Sequence, residues 1–181
     1  MSAVEVLDGE VALFDQSLIP ASVFEALPKD YNIRALMADD YERGVLEVLK
    51  VLTTVGDISK EQFLEQFAYW HKHNDEYFVV VITNESDAVV AVGSIVVERK
   101  LIHQCGKVGH IEDIAVDRSQ QGKKLGLRLI HALTDIGHSQ GAYKVILDCS
   151  EHNVPFYEKC GYAKAGVQMS LKFQEQKKSY L

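Results

Sequence analysis

The chain has 181 residues, 47% hydrophobic and 25% charged, enough for one domain with a substantial core. Its net charge of −7 argues against general nucleic-acid binding as the main role, although positive charge gathers locally at Lys123, Lys124 and Arg128. No apolar run approaches the ~20 residues of a membrane span, and the N-terminus lacks the basic-then-apolar order of a secretory signal. A cytoplasmic protein with no nucleic-acid partner and no membrane span is therefore expected.

Residues 1–30 show no clean period, but Phe14, Leu18, Ile19, Val23, Phe24 and Leu27 would pin this arm onto a surface. Tyr31 to Leu36 alternates as a first strand. Asp39 or Asp40 is placed to cap a helix carrying Val45, Leu46, Val48, Leu49 and Leu52 on one side and ending near Gly56. Ser59 with Gln62 forms the pattern of a capping box, opening a second helix with Phe63, Leu64, Phe67 and Trp70 facing inward. Strands are expected at Tyr77–Thr83 and Ala88–Glu98, joined by the turn-forming Asn84-Glu85-Ser86-Asp87.

A third long strand is expected at Val108–Asp117. After it, Leu125, Leu129, Ile130, Leu133 and Ile136 mark one face of a helix ending near Gly141. Tyr143–Cys149 reads as a strand, Val154–Lys159 as a short helix, Tyr162–Phe173 as a final strand and 174–181 as a polar tail. This order predicts an α/β fold: one domain with a mixed central β-sheet flanked by helices, preceded by an arm over 1–30. The last residues, Ser179-Tyr180-Leu181, echo a peroxisomal Ser-Lys-Leu tail but lack its basic centre.

Chemistry concentrates in Gly109–Gly126. Glu112 and Asp113 form a carboxylate pair on a strand, where simple alternation would point them to opposite faces. The strand leads into a helix start bracketed by Gly122 and Gly126. Unpaired N–H groups and the positive end of the helix dipole suit a diphosphate there, with Lys123, Lys124 and Arg128 adding charge. Neither GxxxxGK[ST] nor GxGxxG is present. The glycine spacing alone equally fits a turn followed by a solvated basic helix end. The three cysteines (Cys105, Cys149 and Cys160) show no CxxC, and the seven histidines show no zinc-ligand spacing, so no metal is expected.

Together these stretches resemble the Gcn5-related N-acetyltransferase (GNAT) superfamily. Gln121 to Gly126 matches its R/Q-x-x-G-x-G/A diphosphate loop, except that Lys124 stands where relatives carry glycine. A lysine in the first turn of a helix would fit without strain. Asn153-Val-Pro-Phe156-Tyr157 matches the family's late Asn-x-x-Phe-Tyr helix. Five further stretches make the match closer: Leu49–Gly56, Val97–His103, Gly109–Val116, Tyr143–Cys149 and Phe156–Gly161. Spread over about residues 31–173, they resemble the eukaryotic glucosamine 6-phosphate N-acetyltransferases within that superfamily.

The resemblance implies a single GNAT-type domain and no tightly bound cofactor. Acetyl-CoA would be the cosubstrate and the 2-amine of glucosamine 6-phosphate the acceptor, feeding UDP-N-acetylglucosamine synthesis by direct attack in a ternary complex. It also implies an intertwined homodimer in which the last strand helps complete the neighbouring site. Ile114, Ala115 and Val116 would pair with the pantetheine amides as an added strand. The diphosphate would be held by Gln121, Gly122, Lys123, Lys124, Leu125, Gly126 and Leu127, with Asn153, Phe156 and Tyr157 completing the cofactor site. Tyr157 would also protonate the departing sulfur. Glu112, Asp113, Ile114 and Asp148 would line the sugar, with Glu112 and Asp148 as candidate bases. Thr53, Lys100, Leu101, Ile102, His103, Tyr143, Lys144 and Lys172 would hold the sugar phosphate. Two other readings remain at this point: an acetyltransferase for another small amine or a protein amine, and a non-catalytic acetyl-CoA sensor.

Overall fold

Two runs of β-branched residues, Tyr77–Thr83 (β2) and Val89–Arg99 (β3), pair antiparallel and form the middle of the sheet. In β2 six of the seven residues are buried, so both faces are covered and the apolar run is continuous rather than alternating. Asn32–Ala35 (β1) pairs antiparallel with β2, and Lys107–Val116 (β4) pairs antiparallel with β3. Ala142–Leu147 (β5) lies parallel to β4, giving a five-stranded mixed sheet in the order β1-β2-β3-β4-β5.

The computed structural model describes residues 11–173. By their contacts the residues divide into two units, Met1–Leu147 and Asp148–Leu181. The tail at 174–181 and residues 1–10 lie outside the described residues.

In the first unit, helix α5 (Leu125–Ser139) is the crossover that a parallel pair requires. Leu125, Leu129, Ile130, Leu133 and Ile136 are all at or near zero exposure. Each such burial is worth about 1.5–3 kcal/mol, and the five recur at the helical period the sequence displays. The helix ends where Gly141 adopts φ +84°. The capping box of α3 (Lys60–Lys72) is present: Gln62 N donates to Ser59 Oγ (3.3 Å) and Ser59 N donates to Gln62 Oε1 (2.8 Å).

The helix expected after Asp39 is broken. A 3₁₀ turn at Ala38–Tyr41 is followed by Gly44 at φ +86°, and only Val45–Leu49 (α2) is α-helical. Asp40 does not cap that helix. It sits inside the 3₁₀ turn and accepts from Met37 N (2.7 Å).

Over its described residues the arm is bound to the sheet. Leu13 N donates to Leu36 O (2.8 Å) and Ala38 N to Val11 O (3.2 Å). Gln16 binds β1 from its open side, donating to Ile33 O (2.9 Å) and accepting from Ala35 N (3.0 Å). Leu13, Phe14, Ile19 and Val23 are buried, and helix α1 (Ala21–Glu25) packs against α5. The arm therefore covers a sheet edge that would otherwise present unpaired backbone groups.

The second unit contains a 3₁₀ turn at Glu151–Asn153 and helix α6 (Val154–Lys159), with Pro155 in its first turn, where a missing N–H costs nothing. The expected strand over 162–173 is not formed. Residues 163–173 carry no regular secondary structure, and Val167, Met169, Leu171 and Phe173 are 80–89% exposed. The alternation is present, but among the described residues no strand pairs with it, and strand hydrogen bonds need a neighbour.

Candidate active site

The pairing of β4 is uneven. Its bonds to β3 continue to Ala91↔Val116, whereas its register with β5 stops at Ile111↔Leu147. From Asp113 to Val116 β4 therefore runs beyond its ladder with β5.

At the same place β4 bulges. Between Val92↔Ala115 and Ser94↔Glu112 the register shifts, so β4 carries one residue more than β3. Asp113 takes up the extra length at φ +55°, a conformation aspartate tolerates better than most residues. The bulge interrupts the regular alternation expected at Glu112 and Asp113, and both residues are exposed. Opposite it, Gly93 leaves room for Ile114, whose Cδ1 occupies the space a Cβ would need. Ser94 Oγ donates to Glu112 O (3.2 Å), fastening the bulge to β3.

Beyond β4 the chain turns through Arg118–Gln120 into α5. No side chain caps this helix, so the N–H groups of Leu125, Gly126 and Leu127 remain to be satisfied from outside it. Gly122 has φ +83°, and nothing lies within 4 Å of where a Cβ would stand. Lys124 is not in the first helical turn. It is the N-cap, at φ +61° and ψ +21°. That left-handed conformation costs a non-glycine residue roughly 1–2 kcal/mol, which accounts physically for glycine at this place in the motif. Gln121, Gly122, Lys123 and Lys124 are all exposed.

The segment Lys100–Cys105 lies next to β5. His103 (φ 51°) meets Tyr143 in a tilted ring contact with centroids 4.3 Å apart, and Lys144 Nζ stands 5.8 Å from the centroid of the same Tyr143 ring. Leu101 and Ile102 are exposed. Lys100 is ion-paired with Glu98, which also accepts from His110 Nε2 (2.9 Å). The Lys100 ammonium is the main reason the Glu98 carboxyl titrates below the usual carboxylate range. The structure thus gathers Lys100, His103, Tyr143 and Lys144 in one region. Thr53 is exposed after α2 and does not line the cleft of about 500 Å³ between α2 and α3, which Tyr41, Glu47, Lys50 and Asp57 help to form.

In the second unit Asp148 is exposed and accepts from Gln168 Nε2 (2.6 Å). Asn153 is the N-cap residue of α6, without a side-chain capping bond. Phe156 and Tyr157 meet edge to face at 5.0 Å, and Tyr157 meets Tyr162 at 6.5 Å. Tyr157 is half-buried. Burial first, then the Cys149, Cys160 and Tyr162 groups, push its phenol above the ordinary tyrosine value. Lys172 is exposed in the extended terminal stretch.

Sequence reasoning passed over Glu98, though its place two residues before Lys100 was a usable signal. It also passed over Gln168, which no local pattern marks.

The model of the acetyltransferase (GNAT) family matches residues 34–162, spanning both units. The chain is 56% identical over 147 residues to the glucosamine 6-phosphate N-acetyltransferase of Candida albicans, covering 81% of this chain and 99% of that protein. It is 48% identical over 141 residues to glucosamine 6-phosphate N-acetyltransferase 1 of Dictyostelium discoideum, covering 77% and 89%. Among solved structures, the crystal structure of glucosamine-6-phosphate N-acetyltransferase from Arabidopsis thaliana superposes with a TM-score of 0.78 at 41% identity, covering 80% of this chain and 99% of that one.

Proposed function

The chain belongs to the acetyltransferase (GNAT) family, and on that premise we propose that it moves the acetyl group of acetyl-CoA to the 2-amine of glucosamine 6-phosphate. The products are N-acetylglucosamine 6-phosphate and CoA, the former a precursor for UDP-N-acetylglucosamine. The observation that carries this reading is the edge of β4 from Asp113 to Val116, beyond the end of its register with β5 and followed by the uncapped start of α5. Such an edge suits a chain of amides, and the helix start suits a diphosphate. The acceptor follows from the relatives named for that substrate, which match nearly their whole length.

The residues present fit acetyl-CoA. The edge at Ile114, Ala115 and Val116 would hold the pantetheine arm, and an N–H there would polarise the thioester carbonyl. Gln121 to Leu127 would hold the diphosphate through backbone N–H groups, with charge from Lys123 and Lys124. Asn153, Phe156 and Tyr157 would attend the thiol end. The cosubstrate supplies an activated acetyl group and a thiol leaving group. His103, Tyr143 and Lys144, with Lys100, Thr53 and Lys172, would bind the sugar phosphate, Lys100 exchanging its Glu98 partner for it. Glu112, Asp113 and Asp148 would receive the amine, with Glu112 or Asp148 taking its proton.

A steady-state assay with acetyl-CoA and a panel of amino sugars, their 6-phosphates, spermidine and lysine peptides tests the reading, with products weighed by mass spectrometry. The expected result is a mass gain of one acetyl on glucosamine 6-phosphate, with glucosamine a much poorer acceptor. Folded protein that turns over none of the sugars, or that prefers a peptide amine, overturns it.

The exposed alternation Val167, Met169, Leu171 and Phe173 supports a working homodimer in which this stretch finds a strand partner on a second copy. Sedimentation at assay concentration is expected to give twice the chain mass, and a monomer would exclude that assembly.

A further inference from the structure

The second half of the diphosphate-binding loop is weakly held by its own backbone. Gln121 N to Arg118 O and Lys123 N to Gln120 O are both 3.4 Å, near the limit for a hydrogen bond. Gly122 and Lys124 both occupy left-handed conformations. What fixes the loop comes from far away in the chain. Tyr31 Oη donates to Gln120 Oε1 (2.6 Å), 89 residues apart. Lys123 Nζ donates to the same Gln120 oxygen (2.8 Å) and to Tyr31 Oη, and stands 5.1 Å from the Tyr31 ring centroid. One phenol hydroxyl thus acts as donor to Gln120 and acceptor from Lys123, as its chemistry allows.

Tyr31 is itself fixed. Its N–H donates to Pro28 O (3.3 Å), and it connects the arm, anchored by buried Leu13, Phe14, Ile19 and Val23, to the first residue of β1. We propose that Tyr31 is a positioning residue for the cosubstrate: the arm presents its hydroxyl as a latch that holds Gln120 and Lys123, and with them the loop, in the conformation that receives the diphosphate.

The physical reason is pre-organisation. A long lysine side chain and a loop with two left-handed residues lose freedom when a phosphate binds, and a latch that has already ordered them lowers that loss. Tyr31 touches no reacting atom in this scheme, so its effect belongs to cosubstrate affinity and not to the chemical step. The proposal rests on the acetyl-CoA reading above, and its test separates the two.

Tyr31→Phe keeps the ring and its packing and removes only the hydroxyl. The expected result is a KM for acetyl-CoA raised about five- to tenfold, because binding must then order the loop and Lys123 itself. The turnover number and the KM for glucosamine 6-phosphate should stay within about twofold, and the thermal midpoint should hold. Calorimetry with CoA alone should show the same loss of affinity, a readout that needs no turnover. In a Lys123→Gln background the Tyr31→Phe effect should shrink, because the two residues act through one contact.

If wild-type protein binds CoA and Tyr31→Phe binds it equally well, the latch fails while the acetyl-CoA reading stands. A variant in which the turnover number falls, or in which both KM values and the thermal midpoint move together, shows a structural role and overturns the proposal. Wild-type protein that binds no CoA overturns both.

Discussion

Asp40→Ala is expected to lower the stability of the first unit by about 3–5 kcal/mol. Asp40 has no exposed surface, and its carboxylate accepts from Arg34 Nη1 and Nη2 (2.7 Å each) and from Met37 N (2.7 Å). The Arg34 side chain is only 10% exposed and its other carboxylate neighbour, Asp87, stands 3.9 Å away, so removing Asp40 leaves a largely buried cation without its two-pronged partner. Arg43 Nη1, 3.6 Å from the same carboxylate, loses that contact as well. Its guanidinium keeps its pairs with Asp39 and with Asp87 (2.7 Å), and the hydrogen bond it donates to Asp39 leads the effects that hold it protonated. The backbone N–H of Met37 loses its acceptor at the same time. Urea unfolding should show the midpoint falling with an unchanged slope, and the thermal midpoint should drop by about 10 °C. Asp40→Asn, which keeps the shape and one acceptor, should fall between the two. A loss of less than about 1 kcal/mol for Asp40→Ala would show that the site relaxes around an unpaired arginine, and the cluster would then not be what ties β1 to the turn after it.

The parts of the fold legible in the sequence are those governed by short-range period and by local capping. β2 and α6 fall where the sequence places them, and the Ser59–Gln62 box is formed as expected. What the sequence hides depends on a partner at a distance or on a single dihedral. Alternation through Glu112 and Asp113 looks regular, but the extra residue of the bulge is visible only against the register of β3, where Gly93 yields its space to Ile114. Lys124 carries no signal of a left-handed N-cap except that it replaces a glycine. The apolar alternation from Val167 to Phe173 is a strand pattern that finds no paired strand among the described residues, so the pattern is present and the strand is not. Tyr31 reads locally as the first residue of an edge strand. Its bonds to Gln120 and Lys123 span about ninety residues, and no window of sequence contains both ends.

Tyr157→Phe is expected to lower the turnover number about 100-fold, with the affinity for CoA changed less than twofold. A positioned general acid supplies ~10²–10⁴ in rate, and the phenol belongs at the low end of that range for a specific reason. A thiol ordinarily titrates near 8.5, well below a phenol near 10, and burial with the neighbouring thiols pushes Tyr157 higher still. Full proton transfer from Tyr157 to a departing sulfur would therefore be uphill, and in the proposed role its main service would be a hydrogen bond that strengthens as charge develops on sulfur. The same shift keeps the donor intact. Because the folded value is raised, the phenol stays protonated across neutral pH and to a higher pH than a free tyrosine. The alkaline limb of the rate profile should therefore not fall from loss of this proton near 10. Removing the oxygen leaves the edge-to-face contacts of the ring with Phe156 and Tyr162, so folding and CoA binding should survive. Single-turnover measurement with acetyl-CoA and glucosamine 6-phosphate isolates the chemical step from product release. An unchanged single-turnover rate would reduce Tyr157 to a packing residue of α6 and return the stabilisation of the leaving sulfur to backbone N–H groups.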